Sequence, residues 1–584
     1  MIFENKKQSS RSITQFDPAS FSGTERFTRI GTGSLGAKAQ GLLNIKEILE
    51  NKIVPLFEPA IHIDIPLLAA IATDYFDQFM NENELYKKIS APWTDKQIAH
   101  IFQKAELPAQ LEKDLHAFVA KISVPLAVRS SSLLEDALGE PFAGVYATKM
   151  IPNNQRNPED RLRALIDAIR YIYASTFFKE AKQYITSTQH NTKEEKMAVI
   201  IQEVVGACYN DRFYPHISGV ARSFNFYPTG LSQPEEGVVD IALGLGKIIV
   251  DDSIAWSFSP SYPHVNPPYN TIRDLLKQTQ KDFWAIDVRR SRKRRFGDEI
   301  EYLKKCTLSD AEKDGILAFI ASTYKAEDEK IVIGIMEPGP RIVNFAQILK
   351  TSQIPLVELL KKLLKSCEES LGTMVNIEFA LTFPHTDFSF IHFGFLQIRP
   401  MVVSHSLVVV NPDELLEENV LVASESTLGN GIDTSIQDIV YVKPQNFLPK
   451  HTHSIGLEIE TINMKLVIEK YPYVLIGFGR WGSSDPSAGI PINFGQISGA
   501  RVIIESTLPD IDFISSQGSH FFHNITSSKI LYFPVSHSGN LKIDWAWLDQ
   551  QKAVMESNFI RHIRLSTPLQ IKVDGRTKRG VILK

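Results

Sequence analysis

Apolar and polar positions along this chain repeat with two different periods, and the switches between them mark its elements. From Ala37 to Glu50, Leu42, Leu43, Ile45 and Ile48 fall on roughly one face, which predicts an amphipathic helix. Pro66 to Ala72 is an unbroken apolar run and predicts a buried strand, followed by a helix from Asp74. Val124 to Arg129 predicts a second apolar strand ending at Arg129, and Asp160 to Ile185 one long helix. Met197 to Val205 predicts a strand passing into a hinge, and Lys330 to Met336 another strand. Leu356 to Leu371 alternates apolar pairs with lysines at helical spacing. Asn376 to Phe383 and Ile391 to Ile398 read as two strands around a polar turn.

The mixture predicts an α+β body up to about residue 404. Residues 1–24 are expected to be a flexible segment, and 405–439 a linker, acidic and rich in small polar residues from Asn411 to Gly431. The remaining 440–584 are expected to form a smaller, strand-rich α/β unit.

Composition narrows the function only a little. A chain of 584 residues is long enough for several buried cores, and a net charge of -4 carries no overall nucleic-acid signature. The basic run Arg289 to Arg295 reads as a solvated loop balanced by Asp298, Glu299 and Glu301, so no nucleic-acid partner is expected. Cys208, Cys306 and Cys367 are far apart and form no metal or disulfide pattern, as expected in a reducing compartment. The polar N-terminus lacks the apolar run of a signal peptide, and no apolar stretch nears the roughly 20 residues that span a bilayer. A cytoplasmic protein without a membrane partner is therefore expected.

Candidate chemistry lies in four motifs. Gly31-Thr-Gly-Ser-Leu-Gly36 opens the first helix and also fits a dinucleotide fingerprint. That rival needs an acidic residue ending the next strand, and neither Glu50 nor Glu58 fits it well. Arg129 follows a strand and precedes three serines, which aims a guanidinium and hydroxyls at phosphate oxygens, or else pairs it with Glu135 or Asp136. Phe142-Ala-Gly-Val-Tyr-Ala-Thr148 follows, and then Ala242-Leu-Gly-Leu-Gly-Lys247. In a hairpin centred between Asp387 and Phe388, Glu378 faces Gln397, and Arg399 shares the face of Gln397. A carboxylate and an amide oxygen suit Mg2+, and Arg399 suits charge on a transferring phosphoryl group.

In this order the motifs resemble the nucleotide-binding half of phosphoenolpyruvate synthase and pyruvate phosphate dikinase, over about residues 25 to 404. The resemblance implies a two-lobed ATP-grasp fold, with lobes at 25–190 and 191–404, that binds ATP and Mg2+. It implies a phosphate contact for Lys38 and a phosphate-covering loop at Gly144 and Thr148. It also implies adenine recognition by the hinge at Gln202 and Val204, largely through backbone groups. Arg129, Glu378 and Arg399 are the implied catalytic residues, with the metal at Glu378 and Gln397. Where the family has Gly-Leu-Gly-Glu, this chain has Lys247 in place of the carboxylate.

The family's phosphohistidine signature and pyruvate barrel are not recognisable, so the phosphoryl acceptor is left open as a histidine of the C-terminal domain, a partner protein or a small molecule. Gly477-Phe-Gly-Arg-Trp-Gly-Ser-Ser-Asp-Pro486 and Ser516 to Asn524 resemble segments in the tails of phosphoenolpyruvate-synthase-like proteins. They suggest a second polar site at Arg480, Asp485 and His520, against the alternative of turn chemistry. Two function classes follow: an ATP-dependent phosphotransferase, or a non-catalytic ATP-sensing module that recruits a partner.

Overall fold

The computed structural model describes residues 13–584 apart from 90–92, 133–134, 136–143, 188–194, 229–230, 251–254, 268–271, 273–274, 277–278, 290–297, 352, 385–387, 389, 402–407, 484–487, 509–524, 526–529 and 542. Helices and several sheets are mixed along the chain, consistent with the α+β class.

Two six-stranded sheets dominate the region before residue 404. The first has the order Thr14–Gln15, Phe27–Ile30, Leu68–Ile71, Met197–Glu203, Leu126–Ser132, Thr148–Ile151. The second has the order Trp256–Phe258, Val238–Ala242, Ile217–Arg222, Val375–Thr382, Ile391–Pro400, Ile61–Asp64. A lobe boundary at 190 therefore divides neither sheet cleanly. Met197–Glu203 pairs with Leu68–Ile71 in the first sheet, and Ile61–Asp64 with Ile391–Pro400 in the second.

The helix Gly36–Ile48 touches both sheets, through the strands Leu126–Ser132 and Ile391–Pro400. Its buried stripe, Ala39, Leu42 and Ile45, belongs to the apolar core of the second sheet, as its helical spacing predicts. Two glycines let it pack so closely. Gly36 has φ +76°, and a Cβ there would lie 1.6 Å from the Ser131 carbonyl oxygen. At Gly41 a Cβ would meet Ile398 at 3.3 Å.

Several expectations need correction. Residues 13–24 are anchored rather than flexible: Thr14 and Gln15 pair with Thr28 and Arg29, and Phe16 and Phe21 are buried. The strand of Arg129 continues through the three serines to Ser132, because Ser130, Ser131 and Ser132 still pair with Met197–Glu203. The long helix is two, Pro158–Ser175 and Lys179–Ser187. Between them Phe177 drops into the core, and Asp95 accepts the Lys179 N–H (2.8 Å) at the start of the second helix.

Nor is 405–439 simply a linker. Val420–Ser424 and Gly431–Asp433 form a four-stranded sheet with the last hairpin of the chain, Gln570–Asp574 and Arg579–Leu583. Beyond them lies a six-stranded sheet ordered Leu531–Val535, Ala500–Ser506, Tyr473–Phe478, Asp438–Val442, Ile560–Arg564, Ala553–Glu556. Its first four strands are parallel, with the helix Thr452–Glu469 crossing between two of them.

Candidate functional site

The hairpin of the second sheet pairs Glu378 with Gln397 and Asn376 with Arg399. Past Glu378 the register shifts: Phe379 faces Phe395, so Leu396 is an extra residue in its strand. A bulge of this kind re-aims backbone groups. Here the Leu396 carbonyl accepts from Arg129 Nη1 at 3.3 Å. A hairpin of constant register places Glu378 and Gln397 correctly but misses the bulge.

Arg129, from the first sheet, ends in this cluster. Its Nη2 donates to Glu378 Oε2 (3.2 Å) and to Gln397 Oε1 (2.6 Å). Its Nη1 also reaches Gln202 Oε1 (3.4 Å), a diagonal neighbour on the adjacent strand. Arg399 Nη2 sits 3.2 Å from the other oxygen of Glu378. One carboxylate thus carries two guanidinium groups, with Gln397 and Arg399 buried beside it. Two oxygens from facing strands converge on one cationic nitrogen, so the same donor set fits a hard divalent cation. Thr148 lies directly across the ladder from Arg129.

Lys38 lies in a separate pocket of charge. Its buried Nζ donates to Glu135 Oε1 (2.7 Å) and Ser130 Oγ (3.2 Å), and Ser130 Oγ donates to the same carboxylate oxygen (2.9 Å). Ser132 N–H donates to Glu135 Oε2 at 3.0 Å. Glu135 therefore pairs with Lys38, while Arg129 points to the other sheet. Sequence periodicity could not assign that pair across so long a separation.

The glycine turn is also committed. Thr32 N–H and hydroxyl both donate to Asp74 Oδ2 (2.7 and 2.8 Å), and these bonds hold the Asp74 carboxyl below its ordinary pKa against the opposing effect of burial. Arg29 binds the carbonyls of Gly31, Thr32 and Gly33. Gly31 and Gly33 are small because Asp74 packs against them, at 2.6 Å from a Cβ built on either. A pyrophosphate cradle has no use for a carboxylate on its first N–H, which weighs against the dinucleotide rival.

At the hinge, Val204 donates its N–H to the Pro125 carbonyl (3.0 Å), and Gln202 Nε2 is buried with no hydrogen-bond partner among the described residues. Gly144 has φ +70° in a turn just before Tyr146. Lys247 opens the short helix Lys247–Val250 after the left-handed Gly244. Arg289 pairs with Asp287, and the rest of its basic run lies outside the described residues.

The chain matches the family model of the pyruvate phosphate dikinase AMP/ATP-binding domain over residues 32–419. It belongs to this family. The matched span carries Lys38, Arg129, Thr148, Gln202, Glu378, Gln397 and Arg399 together. No curated protein matches the chain. Among the described residues, no helix is long and apolar enough to cross a membrane.

One further group was not foreseen. His62, Asp64 and His392 place three ligand-type atoms within 4.8 Å of one another. Asp64 already holds Arg26 (2.5 Å) and His392 (2.9 Å), so the cluster is a charge network around one carboxylate. Of the second polar site, Asp485 and His520 lie outside the described residues. Arg480 follows the strand Tyr473–Phe478, and its Nη2 is buried without a hydrogen-bond partner among the described residues.

Proposed function

We propose that this protein is an ATP-dependent phosphotransferase whose nucleotide site has the two-lobed ATP-grasp arrangement. The observation that carries the reading is the convergence of Arg129, Glu378, Gln397 and Arg399 from two sheets within a family that binds AMP and ATP. Glu378 and Gln397 would hold Mg2+, which neutralises phosphate charge when bound. Arg129 would turn from Glu378 and Gln397 to the phosphates. Arg399 would stay on the opposite side of the carboxylate and stabilise charge on the moving phosphoryl group.

Lys38 and Thr148 would contact the phosphates, with Gly144 allowing the covering turn to approach. Gln202 would meet the base through its unpartnered amide, and Val204 through its carbonyl, because its N–H is engaged with Pro125. Lys247 would add a cation where the family has a carboxylate. The 405–439 and 440–584 segments would form a second unit that serves the acceptor.

A second reading, a non-catalytic ATP sensor, is favoured by one observation: Lys38 is neutralised by Glu135. The two readings separate on incubating the full chain with Mg2+ and γ- or β-labelled ATP. Metal-dependent release of ADP or AMP that disappears in Glu378→Gln supports the phosphotransferase. Tight binding with no nucleotide turnover and no label on the protein would point to a separate acceptor or to the sensor, and turnover that stays absent when candidate acceptors are added would reject the phosphotransferase.

A further inference from the structure

The sheet beyond residue 437 holds a buried charged cluster that the nucleotide site does not use. Phe478, Ser506 and Val535 are in register at the carboxyl ends of three parallel strands, the edge where open parallel sheets bind ligands. Arg480 lies two residues past the first of these ends and Glu505 one residue before the second. Glu505 is buried; it accepts the Trp481 N–H (2.8 Å) at Oε1 and the Tyr532 hydroxyl at Oε2. Gly477 pairs with Glu505, and a Cβ there would lie 2.3 Å from the Trp481 ring. The glycine vacates its place on the sheet, the indole fills it, and the turn carrying Arg480 is fixed.

No ion pair within 4.0 Å reaches Arg480 among the described residues, and Nη2 is buried without an acceptor. Burial depresses the guanidinium's pKa, against the opposing effect of Glu505. Arg480 is half-buried, and a desolvated guanidinium nitrogen without an acceptor is costly; a ligand oxyanion relieves that cost with charge-assisted hydrogen bonds. Glu505 is pushed up to about 7 by burial, opposed by the Tyr532 hydrogen bond, the Trp481 N–H and Arg480. Near neutral pH it therefore holds or releases a proton beside the cation.

The cluster also faces the nucleotide-binding region. Leu475, Ile503 and Tyr532, on the Glu505 face of the sheet, share one apolar core with Phe76, Leu126 and Ile185. Tyr227 packs on that core, and Glu505 adds to the burial that raises its phenol. Tyr227 comes five residues after the strand Ile217–Arg222, whose Arg222 pairs with Asn376, itself paired with Arg399. The loop leaving the Arg399 end of the second sheet thus reaches the Glu505 cluster within about 18 Å of chain. Among the described residues, the titratable groups turned toward Glu505 are Arg480 from the strand-end turn, Tyr532 from the neighbouring strand and Tyr227 from this loop.

We propose that Arg480, backed by Glu505 and Tyr532, binds the carboxylate or phosphate of a small anionic molecule, the phosphoryl acceptor. Calling that molecule the acceptor rests on the phosphotransferase reading; the oxyanion site does not.

Calorimetric titration of the full chain at pH 8 with inorganic phosphate and with acetate tests it, run with a non-hydrolysable ATP analogue filling the nucleotide site. One of the two anions is expected to bind, and which one identifies the headgroup. Arg480→Gln should weaken that binding by about tenfold or more, the worth of a hydrogen bond to a charged group. Glu505→Gln should tighten it, because an ionised neighbour is removed. Opposite changes from two substitutions in one cluster cannot both come from misfolding. Equal anion affinity in wild type and Arg480→Gln, or no binding of either anion by the wild type, overturns the proposal. Failure of the ATP analogue to bind would reject the phosphotransferase reading alone, and the anion results would still decide the oxyanion site.

Discussion

The two arginine clusters of this molecule differ in how their cations are paired. Around Glu378, two guanidinium groups share one carboxylate, and Arg129 also holds an amide oxygen and a bulge carbonyl. Around Glu505, the carboxyl is held by a phenol and a backbone N–H, while Arg480 keeps a buried nitrogen without an acceptor. The first cluster is closed on itself, its own carboxylate taking both cations. The second stays open. A closed cluster must exchange partners to bind, whereas an open one only has to add a partner.

The largest effect expected from that contrast is on turnover. Glu378→Gln should cost on the order of 10²–10³-fold in metal-dependent nucleotide turnover, the scale of losing one transition-state electrostatic group. ATP should still bind, because the phosphates then inherit both guanidinium groups. Turnover within a few fold of wild type would break the comparison, since the closed cluster would then be only structural. Glu135→Ala should destabilise the fold by about 3–5 kcal/mol, because it strands the buried Lys38 ammonium. The double variant Lys38→Met, Glu135→Leu should recover most of that loss in denaturant unfolding. If ATP restores stability to Glu135→Ala but not to the double variant, Lys38 is free to serve phosphate.

The open cluster should reveal itself through pH. Glu505 has a folded pKa of about 7 against an ordinary 4.5, so between those values the folded state holds a proton that the unfolded state has released. Its stabilising contribution is fully present below pH 4.5 and is lost as pH rises through 7. The total is roughly 3 kcal/mol by linkage. In Glu505→Gln, stability measured across this window should lose that slope. A slope unchanged from wild type would show that Glu505 ionises normally and that its site is not closed off from water.

How much of this was legible follows from the range of each interaction. Two-residue alternation is local, so the facing of Glu378 and Gln397 could be worked out from strand spacing alone. The Leu396 bulge could not, because one extra residue leaves the apolar pattern on either side intact. The Lys38–Glu135 pair joins a helix to a turn across 97 residues, and no period connects them. The order of motifs carried the family, which the matched span supports, while the linker expected at 405–439 failed because polar composition did not foretell its pairing with the final hairpin. Glu505 did leave a signal: it is the one charge at the end of the apolar run Val502-Ile-Ile-Glu505. A carboxylate in that position is either solvated at a strand end or buried with partners, and the sequence does not distinguish the two.

The smallest effect sharpens the comparison most, because Gln202 belongs to the closed cluster yet shares the feature of the open one. Among the described residues its Oε1 makes a long contact to Arg129, and its Nε2 is buried without a partner. An unpaired buried amide costs about what a modest hydrogen bond gains, so Gln202→Met should leave stability within about 1 kcal/mol of wild type. Nucleotide affinity should still fall by about fivefold, the net worth of one hydrogen bond. AMP and ATP should lose the same factor if the amide meets the base, since both carry it. A loss confined to ATP would instead place Gln202 among the phosphate-facing groups, acting through Arg129, and the closed cluster would then extend to the hinge.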